Sequence, residues 1–149
     1  MVPMAAYHRL PTEQRHPRAT HLDRLSPNAL LNMMHREDLG AVRAVGRQRR
    51  AIARAVRLIA ASLSTGGRLL FVGAGTSGRL GVLEAAECPP TFSTPPSLVQ
   101  AIMAGGRGAV FRSREGAEDR RLEARRQVLR RVREGDVVVG IAASGVTPF

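Results

Sequence analysis

Phe71-Val72-Gly73-Ala74-Gly75-Thr76-Ser77-Gly78-Arg79-Leu80 reads as a strand that enters a glycine-rich turn and leaves it as a helix. The strand occupies residues 68–72, and the helix begins near Gly78. Glycines let backbone approach a ligand closely, and N–H groups at a turn and helix start offer donors to an anion. Thr76 and Ser77 add two hydroxyls at the same place. The stretch is a candidate phosphate cradle.

Outward from this turn the pattern alternates strand and helix, which predicts an α/β fold with an open parallel sheet. The first helix covers about residues 78–88, and Pro89-Pro90 is expected to stop it. A second strand spans 98–103 and runs out into Gly105-Gly106. A polar helix follows over about 116–133, carrying Leu122, Val128, Leu129 and Val132. A third strand covers 136–142, where Val137-Val138-Val139 reads as a fully buried run. The sequence then closes on Ala143-Ser144-Gly145-Val146-Thr147-Pro148-Phe149, a second Ser-Gly turn with no helix after it. A sheet left on so apolar a strand would expose an adhesive edge, so the chain is expected to be a truncated part of a larger protein.

Upstream, residues 1–25 are polar and proline-punctuated, an arm more than a packed element. Ser26-Pro27 is a helix start, a capping hydroxyl followed by proline at the first helical position. That helix carries Leu30, Leu31, Met33 and Met34. A second helix is expected over about 38–64, with Val45, Ile52, Val56, Ile59 and Leu63 on one face and arginines on the other. The organisation is therefore an arm (1–25), N-terminal helices (26–65) and the first part of an α/β domain (66–149).

Ligands of open parallel sheets bind at the carboxyl ends of strands, where strand order reverses. If the order is 2-1-3, the turn at residues 73–78 and the turn at 143–147 are neighbours. Thr76 and Ser77 would then face Ser144 and Thr147, enough donors for a terminal phosphate. Gly73-x-Gly75-x-x-Gly78 also matches a dinucleotide fingerprint. The acid that would hold a ribose at the end of the second strand is missing, because Ala104-Gly105-Gly106 stands there. A sugar phosphate is the better fit.

Composition sets the outer limits. The chain has 149 residues, 44% of them hydrophobic and 23% charged, enough for one domain with a core. Its net charge is +11, and every basic side chain is arginine. The arginines are spread over several segments, often beside Glu or Asp, and aromatics are only 3% of residues. This reads as GC-rich codon usage and a solvated basic surface, without the clustered charge and stacking rings of a nucleic-acid site. A single cysteine, Cys88, excludes an intrachain disulfide framework and a cysteine-based zinc site. The histidines (His8, His16, His21 and His35) lack ligand spacing. No stretch reads as a membrane span or signal peptide, so a cytoplasmic location is expected.

Five blocks follow one another in order: Gly73-Ala-Gly-Thr-Ser-Gly-Arg-Leu-Gly81, Glu87-Cys88-Pro89-Pro90-Thr91, Glu115-Gly-Ala-Glu-Asp119, Val139-Gly-Ile-Ala-Ala-Ser-Gly145 and Thr147-Pro148. Together they resemble the signature of the N-acetylmuramic acid 6-phosphate etherases, a family of sugar isomerase (SIS) domain proteins. Thr12-Glu13-Gln14-Arg15 and Leu22-Asp23 resemble that family's N-terminal arm. The similarity runs over nearly the whole chain and covers about the first half of such an enzyme. Glucokinase regulatory proteins share part of it.

The resemblance implies an SIS-type, flavodoxin-like open parallel sheet and a lyase of peptidoglycan amino-sugar recycling. The family's reaction removes the D-lactyl ether from C3 of the phosphosugar by elimination and rehydration on the open-chain aldehyde. It needs one carboxylate to take the C2 proton and one carboxylic acid to protonate the leaving oxygen. No cofactor or metal is implied. By resemblance the acid is Glu87 and a second functional carboxylate is Glu118. Phosphate and sugar contacts fall on Gly75, Thr76, Ser77, Gly78, Ser144, Gly145 and Thr147. Glu84 reads as structural, Asp119 as a helix-start charge and Cys88 as a small packed residue. The implied partners are a small sugar phosphate and, at full length, a second copy in a homodimer; no nucleic acid or membrane partner is implied. Two positions depart from the family pattern: Val146 stands where it usually has Arg, and His16 where Asn is common.

Overall fold

The computed structural model of the chain describes residues 9–149. Its polypeptide forms three parallel strands and five α-helices in the order α1 (Pro27–Arg47), α2 (Arg49–Ser64), β1 (Leu69–Gly73), α3 (Gly75–Phe92), β2 (Val99–Met103), α4 (Gly108–Phe111), α5 (Arg121–Arg131) and β3 (Val137–Ile141). Two short 3-10 turns, Pro11–Glu13 and Leu22–Arg24, punctuate the arm. The first eight residues of the expected arm lie outside the described residues.

The sheet order is β2-β1-β3, the order under which the two glycine turns become neighbours. Leu69 pairs with Val99 on one side and with Val137 on the other, both in parallel register. On one face, Leu70, Val72 and Ile102 form the buried centre, and Val128, Val132 and Phe149 pack onto it. On the other face lies α3, drawn in until a Cβ on Gly81 would come within 2.7 Å of the Phe71 Cβ. Gly73 and Gly78 cross equally closely: a Cβ on Gly78 would meet the Gly73 carbonyl oxygen at 2.6 Å. Two glycines of the opening motif thus exist to let helix and strand touch.

Several boundaries differ from the sequence reading. Ser26 caps α1 as expected, its Oγ accepting from the Ala29 N–H at 3.3 Å. The expected second helix, however, is broken at Gln48, and its first part belongs to α1. The Gln48 N–H turns back to the Val45 carbonyl, while its own carbonyl starts α2. Pro89-Pro90 does not stop α3, which continues to Phe92 and ends at Ser93 with φ +56°. Prolines near the helix end deprive only the carbonyls of Ala85 and Ala86 of a donor, and Ala86 is exposed to water. The polar helix α5 is shorter than expected, and its first residue is Arg121, so Asp119 precedes it by two residues. The turn of helix α4 had no counterpart in the sequence reading.

The Val137-Val138-Val139 run is not fully buried. Along β3 burial alternates, and Val138 is 42% exposed. The strand is an edge with β1 as its one neighbour, and an edge covered on one side alternates. The apolar face expected of the N-terminal helices exists but is open: no residue of α1 or α2 is buried, and Val45, Ile52 and Val56 are exposed. Only Ile59 and Leu63 of that face are half-buried.

The amino ends of β1 and β3 are closed by a clasp absent from the sequence reading. Arg68 donates to Asp136 from its backbone N (2.9 Å to Oδ1), from Nε (3.1 Å to Oδ1) and from Nη2 (2.6 Å to Oδ2). Asp136 also accepts from the Arg133 N–H at 2.8 Å. Its side chain is 2% exposed, and its carboxyl sits at about 2 instead of the ordinary 3.8. The Arg68 hydrogen bond is the main cause, working against desolvation. At the other sheet edge, the Arg131 guanidinium donates to the Ala101 carbonyl of β2 at 3.1 Å, taking an acceptor that a further strand would need.

Candidate functional site

The carboxyl ends of the strands carry the opposite arrangement. The residue before α3 is Ala74, whose side chain cannot cap the helix, and the first N–H bonded back is that of Gly78, to the Ala74 carbonyl at 3.1 Å. The N–H groups of Gly75, Thr76 and Ser77 therefore have no acceptor within the helix. Gly75 takes φ +56°, a conformation that costs a side-chain-bearing residue energy and glycine little. With the helix beginning at Gly75 and not Gly78, Thr76 and Ser77 belong to its first turn, where the macrodipole also favours an anion. Thr76 is exposed and Ser77 half-buried.

Beside this helix start lies a cleft of about 290 Å³. Ala74, Gly75 and Arg79 form one wall, the loop carrying Arg114 and Glu118 forms another, and Thr147 contributes from the segment after β3. That segment is tied to the loop by the Phe149 N–H, which donates to the Glu118 carbonyl at 2.9 Å. Thr147 also borders an adjoining depression of about 240 Å³ with Gly73 and Gly145. The 2-1-3 strand order thus brings Gly75, Glu118 and Thr147 to one cleft, with Thr76, Ser77, Gly78 and Gly145 next to it.

Two candidate residues lie elsewhere. Ser144 is not in the wall of either depression, and its Oγ accepts the Val146 N–H at 3.3 Å in a local turn. Glu87 is exposed on α3, twelve residues after Gly75, which is about 18 Å of helix rise at 1.5 Å per residue. Leu80, Leu83 and Glu84 share its exposed side of the helix. Within one chain Glu87 does not reach the cleft. Among the described residues no three His, Cys, Asp or Glu side chains converge on a point that could hold a metal. No helix is long and apolar enough to cross a membrane.

Arg79 is the main organiser that sequence reasoning missed. Its Nε donates to the Val110 carbonyl at 2.8 Å, and its Nη2 donates to the Ala109 carbonyl at 2.9 Å and to Ser113 Oγ at 3.4 Å. It thereby caps α4 and anchors the loop that leads to Glu118. Its position one turn after Gly75 was the available signal, since residues i and i+4 share a helix face.

The chain is similar to known proteins over nearly its whole length. A family model described as the glucokinase regulatory protein N-terminal SIS domain matches residues 51–149. An N-acetylmuramic acid 6-phosphate etherase of Picosynechococcus is 50% identical over 93% of this chain and 46% of its own length. Etherases of the same name from Symbiobacterium thermophilum and Geobacillus thermodenitrificans are 52% and 51% identical, over 95% and 94% of this chain and 47% and 48% of their own lengths. The chain spans about half the length of the curated relatives it matches.

Proposed function

The chain belongs to the glucokinase regulatory protein N-terminal SIS domain family, and on that footing we propose that it is the N-terminal part of an N-acetylmuramic acid 6-phosphate etherase. The observation that carries the reading is the placement of a carboxylate, Glu118, in one cleft with the open helix start at Gly75. The phosphate accepts from the N–H groups and hydroxyls of Thr76 and Ser77, with Thr147 closing the other side and Ser144 and Gly145 shaping the second turn. This fixes one end of an open-chain sugar against the wall that holds Glu118.

Glu118 takes the C2 proton, which the aldehyde acidifies. The C–H electron pair becomes the C2–C3 double bond, the C3–O bond breaks, and the lactyl oxygen takes a proton from Glu87 to leave as D-lactate. Water then adds at C3 and a proton returns to C2, giving N-acetylglucosamine 6-phosphate. Because Glu87 lies far along α3 from its own cleft, the acid is supplied by a second copy, which makes the homodimer the catalytic unit. The reaction belongs to cytoplasmic amino-sugar recycling.

The test is D-lactate release from N-acetylmuramic acid 6-phosphate by the full-length protein. Glu87→Gln and Glu118→Gln should each lower it by at least about 100-fold, and mixing the two crippled variants should restore part of the activity. Failure to restore it, with both single variants crippled, would sink the shared site. A second reading, a sugar-phosphate sensor without catalysis, is favoured by the exposed position of Glu87 and by the regulatory protein for which the matching family model is named. Phosphosugar binding with no lactate release would establish it.

A further inference from the structure

Two arginines line the cleft, and their hydrogen-bonding states are opposite. Arg79 is committed to α4 through Ala109, Val110 and Ser113. Arg114, on the facing loop, makes no ion pair or side-chain hydrogen bond among the described residues. Two glycines make room for its side chain. A Cβ on Gly105 would lie 3.1 Å from Arg114 Cδ, and one on Gly108 would lie 2.9 Å from its Nη2. The stem therefore rests along a glycine bed at the cleft wall, and the guanidinium keeps its donors.

We propose that Arg114 binds a carboxylate of the ligand, a second anion beyond the phosphate at the α3 start. The inference deepens the etherase reading and rests on it. A phosphate at Thr76 and Ser77 is served by N–H groups and hydroxyls, so it leaves Arg114 unused. Val146 puts no cation in the second turn. The loop itself carries Glu115 and Glu118 into the cleft, which would repel a ligand carboxylate unless a cation stood beside them. A guanidinium binds a carboxylate through two parallel N–H donors, with geometry that a point charge does not provide. The substrate of the proposed reaction carries a lactyl carboxylate and its sugar product does not. Arg114 is then a specificity-determining residue that holds the substrate and releases its hold once the ether is cut.

The experiment uses calorimetric titration of the full-length protein in a Glu118→Gln background that blocks turnover. The ligands are N-acetylmuramic acid 6-phosphate and N-acetylglucosamine 6-phosphate. Adding Arg114→Gln should weaken the first by roughly 10- to 100-fold, the range for a charged hydrogen-bond pair, and leave the second unchanged. Unchanged binding of the second also certifies the fold. Arg114→Lys, which keeps the charge and loses the fork, should fall between. An equal effect of Arg114→Gln on both ligands, or on neither, overturns the assignment while leaving the etherase reading intact. If the parent protein binds neither phosphosugar, the functional reading itself falls and takes this inference with it.

Discussion

The two ends of the β1–β3 strand pair are built on opposite rules. At the amino ends, the polar groups of Arg68 and Asp136 are paired with each other, and Asp136 is additionally bonded to Arg133. Arg68 further donates to the Arg131 carbonyl at 2.6 Å, and Ser62 Oγ donates to the Gly135 carbonyl next to the clasp. At the carboxyl ends, the first N–H groups of α3 lack helical acceptors and Arg114 lacks a partner among the described residues. A saturated end contributes to folding and has nothing left for a ligand. An unsaturated end costs stability until something binds. The same two strands thus divide the work: one end holds the domain shut, and the other is left chemically open.

Substitutions at the two ends should therefore separate function from stability. The largest effect is expected from Glu118→Gln at full length. Lactate release should drop by roughly 10²- to 10⁴-fold, the usual contribution of a positioned general base, with the thermal midpoint unmoved. A falling midpoint would mean that Glu118 holds structure and not substrate. Next comes Gly78→Val, whose Cβ would clash with the Gly73 carbonyl that flanks the cradle. Overpacking of this kind costs about 1–3 kcal/mol, and urea unfolding should report it alongside weaker phosphosugar binding.

Asp136→Asn probes the saturated end and should lower the thermal midpoint without altering the affinity of the folded protein for phosphosugar. It should also flatten the acid limb of stability. The folded chain holds the Asp136 carboxyl at about 2, below its ordinary 3.8, so it binds that proton less tightly than the unfolded chain does. The contribution is fully present above about pH 4 and disappears as pH falls toward 2. Equal acid sensitivity of parent and variant would contradict the clasp. The smallest effect is expected from Gly75→Ala, where nothing lies within 4 Å and only the positive φ is at stake. A loss of about 1–2 kcal/mol follows from that conformation.

Local signals made the open end legible and left the closed end invisible. Strand, glycine turn and helix start are adjacent in the chain, so the cradle could be read from periodicity and turn chemistry, while the 2-1-3 order entered only as the condition that makes the two turns neighbours. That order accounts for Thr147 lying beside Gly75, whereas Glu118 was indicated only by the family resemblance. Arg68 and Asp136 are 68 positions apart, and nothing near either residue announces the other. Arg79 was visible as a residue of the turn motif, but its role depends on where the helical turn Gly108–Phe111 lies, and four residues carry no periodic signal. Arg114 was one arginine among many until the glycines beneath it were placed. Pro89-Pro90 does not act as a stop, because the last turn of a helix loses little by holding two prolines. The valines of β3 are apolar without being buried, because an edge strand covers only alternate side chains.

The central strand is also the first to be made. Once β1 has left the ribosome, β2 can pair with it across a separation of 30 residues, from Leu69 to Val99, with α3 as the crossover. Pairing with β3 must wait for a separation of 68 residues, Leu69 to Val137, and closing that longer loop costs about 0.7 kcal/mol more in chain entropy. Until then one side of β1 is an unpaired template in the nascent chain. Asp136 and Arg68 each stand one residue ahead of their strands, so their ion pair joins β3 to β1 at matching positions and is compatible only with the Leu69–Val137 register.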